Sequence, residues 1–448
     1  MVPNPADQSE TIWMTWMDKG LVDRAVESAR SAFESYTTPF HNDLTPFYGK
    51  LKAQLLNRRR ELARTIALAT GRPTWETELE VKASITMARR AEGVPPPRGM
   101  TRHGDFVRIP VGVIAFRCAS DLPLLNTIEI LVEAIAAGDS VVLLPPPEAG
   151  PVGLILAEML HECDLDQGSF NLVQGDDSIL DYLRGHPGVD RFITPPDQGP
   201  PKGGGSENDG LILREDDLDH AANAAAVGCF LSAGQRRDSL KRIFVEKDVA
   251  EEFAQALGRA ASSLVPGDPV GQGRNRFFGP LATKENLQAF LEFEENGPGI
   301  PMGNGNVDEE NGKKLPENGL WAKPSVRLLQ LNEARPARVP IGPTVLVMAV
   351  NGLDEVLPQA RLEPSQRTFT FLGRGTAKLS MVRALRSRFV GVGITSPGEW
   401  LRMSGEDVVT LPWERQWRSN LARSVILAEE LRDDPFAGLP GLGTVSRS

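Results

Sequence analysis

Three thiols are the strongest nucleophiles this chain could offer: Cys118, Cys163 and Cys229. They are scattered, without the paired spacing of a metal site or of a disulfide framework. Cys118 has no His or Glu placed in sequence to activate it. Cys229 falls eight residues before Arg237 on a helical run and reads as a small buried hydrophobe. His41, His103, His161, His186 and His220 show no metal-ligand spacing. Ser239 has no evident base. Arg237 ends the run Gly234-Gln-Arg-Arg237. A guanidinium has no lone pair to offer and keeps its proton in a protein. Its open roles are to bind an anion or to fill space. Gly175 and Gly203-Gly-Gly205 could cradle a phosphate, but a Gly-rich run with no helix start behind it reads as a flexible loop.

The elements that must position these residues show in the hydropathy pattern. Residues 20–95 read as helices. Val22, Ala25, Val26, Ala29 and Phe33 share one face, and Leu51, Leu55, Leu62, Ile66 and Leu68 share another, predicting one helix that Gly71-Arg72-Pro73 stops. From Val107 short apolar runs alternate with helical spacing: strands at 111–116, 139–144, 170–173 and 189–193, helices at 127–137, 153–163 and 178–183. That alternation predicts a parallel, doubly wound α/β sheet. Thr194 to Gly210 is rich in Pro and Gly and reads as a loop. A second α/β pattern starts at Leu211 and runs to about 395, interrupted by a Gly/Asn-rich loop at 295–315. The expected domains are 1–213, 214–395 and a C-terminal segment with a mobile tail, 396–448.

The chain has 448 residues, enough for two or three domains at roughly 100–200 residues each. A net charge of −10 argues against nucleic acid or an anionic membrane as partner, since both need a basic face. No run approaches the ~18 apolar residues of a membrane span, and no basic-then-apolar leader stands at the N-terminus. Reduced cysteines and these absences place the expectation in the cytoplasm.

Several blocks, in order, resemble the aldehyde dehydrogenase superfamily, and its succinylglutamate semialdehyde dehydrogenase branch most of all. Glu61 to Val81 is similar to that branch's early helix pair, Pro110-Val-Gly-Val-Ile114 to its first sheet strand, and Ala136 to Pro145 to its second. Phe170-Asn-Leu-Val-Gln-Gly175, Pro266-Gly-Asp268, Phe278-Gly-Pro-Leu281 and Gly342-Pro343 resemble further family blocks. Phe230-Leu-Ser-Ala-Gly-Gln-Arg236 resembles the lead-in to the nucleophile. The resemblance covers roughly residues 20–395. It implies an aldehyde dehydrogenase-like fold: a Rossmann-like doubly wound sheet, a second α/β domain of catalytic type and a reduced oligomerisation segment.

The family's chemistry, as the resemblance implies it, needs a thiolate, an oxyanion-holding asparagine, a nicotinamide and a glutamate base. Here the nucleophile's place holds Arg237 and the asparagine's place holds Asp121, whose carboxylate would repel an oxyanion. The two places that grip the cofactor ribose hold Leu144 and Val339, neither a hydrogen-bonding side chain. The diphosphate turn carries Pro195 and Pro196, which have no N–H to aim at phosphate. Between Thr194 and Gly210 only fifteen residues remain, too few for the helix and strand that carry the base. Gly203 to Gly205 reads as their remnant. Arg237 and Asp121 are expected to form a salt bridge, within about 6 Å, and Leu144 to meet Val339 across an emptied slot. The C-terminal family block has eroded to Pro412 to Asn420, while Arg388 to Gly393 survives as a strand.

The first expectation is a family member that has lost catalysis, with no cofactor, acting as a scaffold or as a partner subunit of itself or of an active aldehyde dehydrogenase. The alternative is an enzyme that oxidises an aldehyde or semialdehyde with NAD or NADP. A second alternative is a sensor that holds a carboxylate on Arg237.

Overall fold

A computed structural model of the chain describes residues 2–12, 16–35, 44–93, 101–103, 106–108, 110–193, 208–212, 218–236, 239–271, 276–304, 309–310, 313–330, 333, 336, 339–352, 354–356, 368–372 and 389–394. The chain forms two compact units, Met1–Pro201 and Lys202–Ser448. No described helix is long and apolar enough to cross a membrane.

The first unit opens with a hairpin, β1 (Val2–Asn4) and β2 (Asp7–Ile12). Four helices follow: α1 (Lys19–Ser35), α2 (Thr45–Asn57), α3 (Arg59–Thr70) and α4 (Thr74–Gly93). A second hairpin pairs β3 (Thr101–His103) with β4 (Phe106–Arg108). The chain then alternates through β5 (Val113–Phe116), α5 (Pro123–Ala137), β6 (Ser140–Leu143), α6 (Gly150–His161), β7 (Phe170–Leu172), α7 (Asp177–Arg184) and β8 (Arg191–Ile193). These four strands form one parallel sheet in the order β7-β6-β5-β8. Order reverses between β5 and β8, and in such sheets ligands lodge outside the strands' C-terminal ends at that reversal. β5 and β6 are buried along their length, which is why they read as unbroken apolar runs. Val22, Val26 and Ala29 of α1 pack on Val113, Val142 and Val173, at about 1.5–3 kcal/mol for each large aliphatic group buried.

Two helical expectations need correction. The helix drawn from Leu51 to Leu68 is two helices, parted at Arg58, whose φ of −96° and ψ of 13° leave the helical region. Its guanidinium bridges Glu61 and Glu158 at 2.8 and 2.9 Å, so a charge cluster marks a joint where no Gly or Pro stands. The helix expected from Thr127 begins at Pro123, where proline's missing N–H costs nothing.

The second unit runs β9 (Asn208–Ile212), α8 (Leu218–Phe230), β10 (Leu240–Glu246), α9 (Lys247–Ser262), α10 (Lys284–Asn296), β11 (Ile300–Asn304), β12 (Glu309–Glu310), β13 (Lys313–Lys314), β14 (Ser325–Leu329), β15 (Thr344–Val350), β16 (Thr368–Leu372) and β17 (Phe389–Ile394). Seven strands make one sheet, β11-β14-β15-β10-β9-β16-β17, parallel except where edge strand β11 runs against β14. β9 starts at Asn208, three residues before the expected start at Leu211. The segment expected as a loop over 295–315 contains β11 and the β12–β13 hairpin. Pro301 and the register shift before Gly303 hid β11 from a pattern search, and both suit an edge strand. Arg327 secures the end of α10 by donating to the carbonyls of Glu294, Gly297, Pro298 and Gly299 at 2.8–3.1 Å.

Candidate active site

In the first unit the place of the oxyanion group lies in the loop that leaves β5. Asp121 is half-buried there. The loop is fixed from both sides. Ala119 N–H donates to Asn126 Oδ1 at 3.0 Å, and the Asp121 carbonyl accepts from Arg72 Nη1 at 2.7 Å. Arg72 is itself 2% exposed. Its Nε meets Glu76 Oε1 at 2.8 Å and its Nη1 meets Glu80 Oε2 at 2.5 Å. The other oxygen of Glu80 accepts from the N–H groups of Leu124 and Leu125 at 2.8 and 3.2 Å. No side chain of α5 itself caps that helix, so a carboxylate from α4 takes the orphan amides and meets the positive helix end. Burial pushes the Glu80 carboxyl up, and Arg72 and the two amides oppose the shift.

Leu144 follows β6, fully buried in the apolar cluster beneath the sheet. Its N–H donates to Phe116 O at 2.9 Å. Pro195 and Pro196 lie outside the described residues, as does the stretch 194–207 expected to have lost the base.

In the second unit the loop resembling the nucleophile turn leaves α8. Ser232, Ala233 and Gly234 have φ of 54°, 53° and 66°. Two consecutive non-glycine residues in the left-handed region cost about 1–2 kcal/mol each and persist only where their surroundings hold them. Gln235 is one such hold: its Nε2 donates to Ser232 O at 3.0 Å and Pro280 O at 3.3 Å, and its Oε1 accepts from Ala282 N–H at 2.7 Å. Gly342 is the other. A Cβ on Gly234 would stand 2.2 Å from the Gly342 carbonyl oxygen, so only glycine lets the two backbones close. That oxygen also accepts from the Lys241 ammonium, a side chain 1% exposed on β10. Burial pulls Lys241 down to about 7.

Arg237 lies outside the described residues, and with it the expected pair with Asp121. Arg236 and Ser239 on either side are buried. Val339 is 4% exposed and belongs to the second unit. The side chains of Leu144 and Val339 neither donate nor accept a hydrogen bond.

All three thiols of the chain are buried. Burial pushes Cys118 and Cys163 up to about 12 and raises Cys229 as well. No cluster of metal-ligating side chains occurs among the described residues. The sequence signal for Glu76 and Glu80 is their spacing of four, which puts them on one face of α4, with Arg72 in the link just before that helix. Lys241 is marked by sharing a strand face with Ile243 and Val245.

The model of the aldehyde dehydrogenase family matches residues 1–194 and 203–361. The chain belongs to the aldehyde dehydrogenase family. The break in the match falls within the Pro/Gly-rich stretch. An aldehyde dehydrogenase of Leishmania tarentolae, described as mitochondrial, is 27% identical over 89% of this chain and 83% of its own length. A betaine aldehyde dehydrogenase of Rhizobium etli is 28% identical over 76% and 74%. Malonate-semialdehyde dehydrogenase 2 of Shouchella clausii is 26% identical over 66% and 65%, so the chain spans just under two thirds of that relative. Among solved structures, aldehyde dehydrogenase C of Pseudomonas syringae, a mutant with NAD+ and octanal, superposes with a TM-score of 0.75 at 22% identity over 87% and 84% of the two chains. Betaine aldehyde dehydrogenase of Staphylococcus aureus with NAD+ gives 0.74 at 20% over 87% and 83%. The fold is that of an aldehyde dehydrogenase. The relatives are named as dehydrogenases of aldehydes and semialdehydes, which favours the oxidoreductase expectation over the silent one and removes support from the expectation of no cofactor.

Proposed function

We propose that this family member does not form the thiol–aldehyde adduct of its relatives and serves as a non-catalytic homologue or partner subunit, of the succinylglutamate semialdehyde dehydrogenase branch. One observation carries the reading: every thiol of the chain is buried and raised. A thiol near 12 is ionised at neutral pH to on the order of one part in 10⁵, and the thiolate is the attacking species. Arg237 in the nucleophile's place supplies no substitute. Leu144 and Val339 add to the reading by leaving the ribose without a side-chain partner.

A second reading is NAD(P)-dependent oxidation of an aldehyde or semialdehyde to the acid. The comparisons favour it more than they favour lost catalysis. It needs a nucleophile other than cysteine. Melting the full chain with NAD, NADP and dicarboxylates separates the readings, because a ligand of the native state raises the midpoint. The first reading expects no shift with either dinucleotide and no NADH from succinylglutamate semialdehyde. A dinucleotide shift together with NADH production would sink it, and a shift with dicarboxylates alone would favour a carboxylate sensor at Arg237.

A further inference from the structure

The turn between α7 and β8 is stitched by one imidazole, and its partners fix which nitrogen holds the proton. The Gly188 N–H, which can only donate, points at His186 Nδ1 at 3.0 Å. Asp23 Oδ1 on α1 lies 3.2 Å from Nε2, and a carboxylate only accepts. The ring in this geometry is therefore neutral, with its proton on Nε2. A proton added at Nδ1 would set two N–H groups facing each other.

The charged and titratable groups around the ring come from both helices. Asp23 Oδ1 also accepts from the Tyr182 hydroxyl of α7 at 2.7 Å, and the Tyr182 ring stands edge-on to the imidazole at 5.8 Å. Lys19 of α1 lies over that tyrosine, 4.9 Å from the ring centre. On the far side of the turn, Arg30 of α1 donates to the Gly188 carbonyl at 2.9 Å and to Asp190 Oδ2 at 2.6 Å. The same oxygen of Asp190 accepts at 2.7 Å from the N–H of Val113, which opens β5. The imidazole thus ends a chain of contacts that runs through the turn to the start of β5, whose other end leads into the Asp121 loop.

We propose that His186 is a pH-sensitive latch on the α7–β8 turn: neutral, it holds the Gly188 amide and closes the turn; protonated, it gives that amide up and loosens the hold on the start of β5. Imidazole is the side chain whose ordinary range puts its charge change between pH 5 and 8. Asp23 offers the charged ring a partner, but its side chain is 41% exposed, and solvent screens that gain. The contact with Gly188 has no such compensation, because it turns from attraction to repulsion. The latch is independent of both readings of the function.

Hydrogen exchange of the full chain, read amide by amide by NMR and corrected for the intrinsic rate, tests the latch across the imidazole range of pH 5 to 8. In wild type the Gly188 amide should be protected roughly tenfold or more better at the upper end than at the lower. The Val113 amide should lose protection over the same range by a smaller factor. The ring nitrogen shifts should show the proton on Nε2 at the upper end, and proton uptake along the curve on which Gly188 loses protection. His186→Asn puts an amide oxygen where Nδ1 stands and does not titrate, so both amides should stay protected throughout. Asp139, which accepts from the Val111 and Gly112 amides and is pushed up to about 6 by burial, is present in both proteins and drops out of the comparison. Should His186→Asn fail to fold, Asp23→Asn removes the carboxylate that favours the charged ring and should move the transition to lower pH. A ring with its proton on Nδ1, a ring that stays neutral throughout, or amides that keep their protection while the ring titrates would each overturn the proposal.

Discussion

The loop that carries Asp121 and the turn that leads to Arg237 are held in place by buried cations, and they are held differently. In the first unit Arg72 reaches the Asp121 carbonyl while two buried glutamates balance it. In the second unit Lys241 reaches the Gly342 carbonyl, and the described residues supply no carboxylate to balance it. The positions differ too. The Asp121 loop leaves the C-terminal end of β5, where doubly wound sheets keep their ligand sites. The left-handed turn and Gly342 precede β10 and β15, at the N-terminal ends of two adjacent strands. The first loop is thus secured by a balanced charge network. The second combines backbone strain with one costly ammonium, and strain of that kind collects at functional sites.

The largest expected effect tests the balanced network. Arg72→Met leaves Glu76 and Glu80 buried without their cation and removes the donor to Asp121. Breaking one side of a buried pair costs about 3–5 kcal/mol, so the urea midpoint of the first unit should fall sharply. The triple replacement Arg72→Met, Glu76→Gln, Glu80→Gln should recover most of the loss, because no lone charge is left. A wild-type midpoint for Arg72→Met would show that the Asp121 loop is fixed by other contacts.

Next comes the strained turn. Gly234→Ala places a methyl 2.2 Å from the Gly342 oxygen at a φ of 66°. The left-handed penalty of about 1–2 kcal/mol plus the forced separation of the two backbones should cost the second unit about 2–4 kcal/mol. Equilibrium unfolding followed by fluorescence would measure it. A loss under about 0.5 kcal/mol would mean that the turn relaxes freely, and the contrast drawn between the two loops would go.

What the sequence discloses follows the same division. β5 and β6 are legible because both of their faces are buried, which leaves an unbroken apolar run. The fold is legible because the family blocks keep their order. The holding groups are not. In sequence Arg72 is part of a helix stop, yet Glu76 and Glu80 share a face of the next helix and it sits 2% exposed against them. Lys241 stands beside Arg242 as one charge of two, yet Lys241 is fully buried while Arg242 is half-buried. In both cases hydropathy scores a charged residue as surface, and only tertiary packing buries it. The α2–α3 joint at Arg58 escapes for a related reason: the break is set by ion pairs, not by a residue that breaks helices.

The smallest expected effect, and the one that separates the two cations best, is in the pH dependence of stability. Lys241 binds its proton more weakly in the fold, at about 7, than in the unfolded chain, at 10.5. Between those values the unfolded state holds more protons, so stability rises with pH across that window. The contribution is fully present above about 10.5 and is lost as pH falls toward 7. The raised thiols act in the opposite sense. Cys118, Cys163 and Cys229 ionise near 9 when unfolded and later when folded, so above pH 9 they reduce stability as pH rises. The difference between wild type and Lys241→Met cancels that thiol contribution. Each unit of pKa displacement is about 1.36 kcal/mol, so the two units from pH 7 to 9 can change the gap by at most about 2–3 kcal/mol. Lys241→Met should therefore gain on wild type as pH falls from 9 to 7, by up to that amount, and the gap should level off below pH 7. Arg72→Met should show no such convergence, because its defect is two stranded carboxylates. A constant gap between wild type and Lys241→Met from pH 6 to 9 would mean that Lys241 is not a strained, unbalanced cation, and that the two loops are held by the same kind of contact after all.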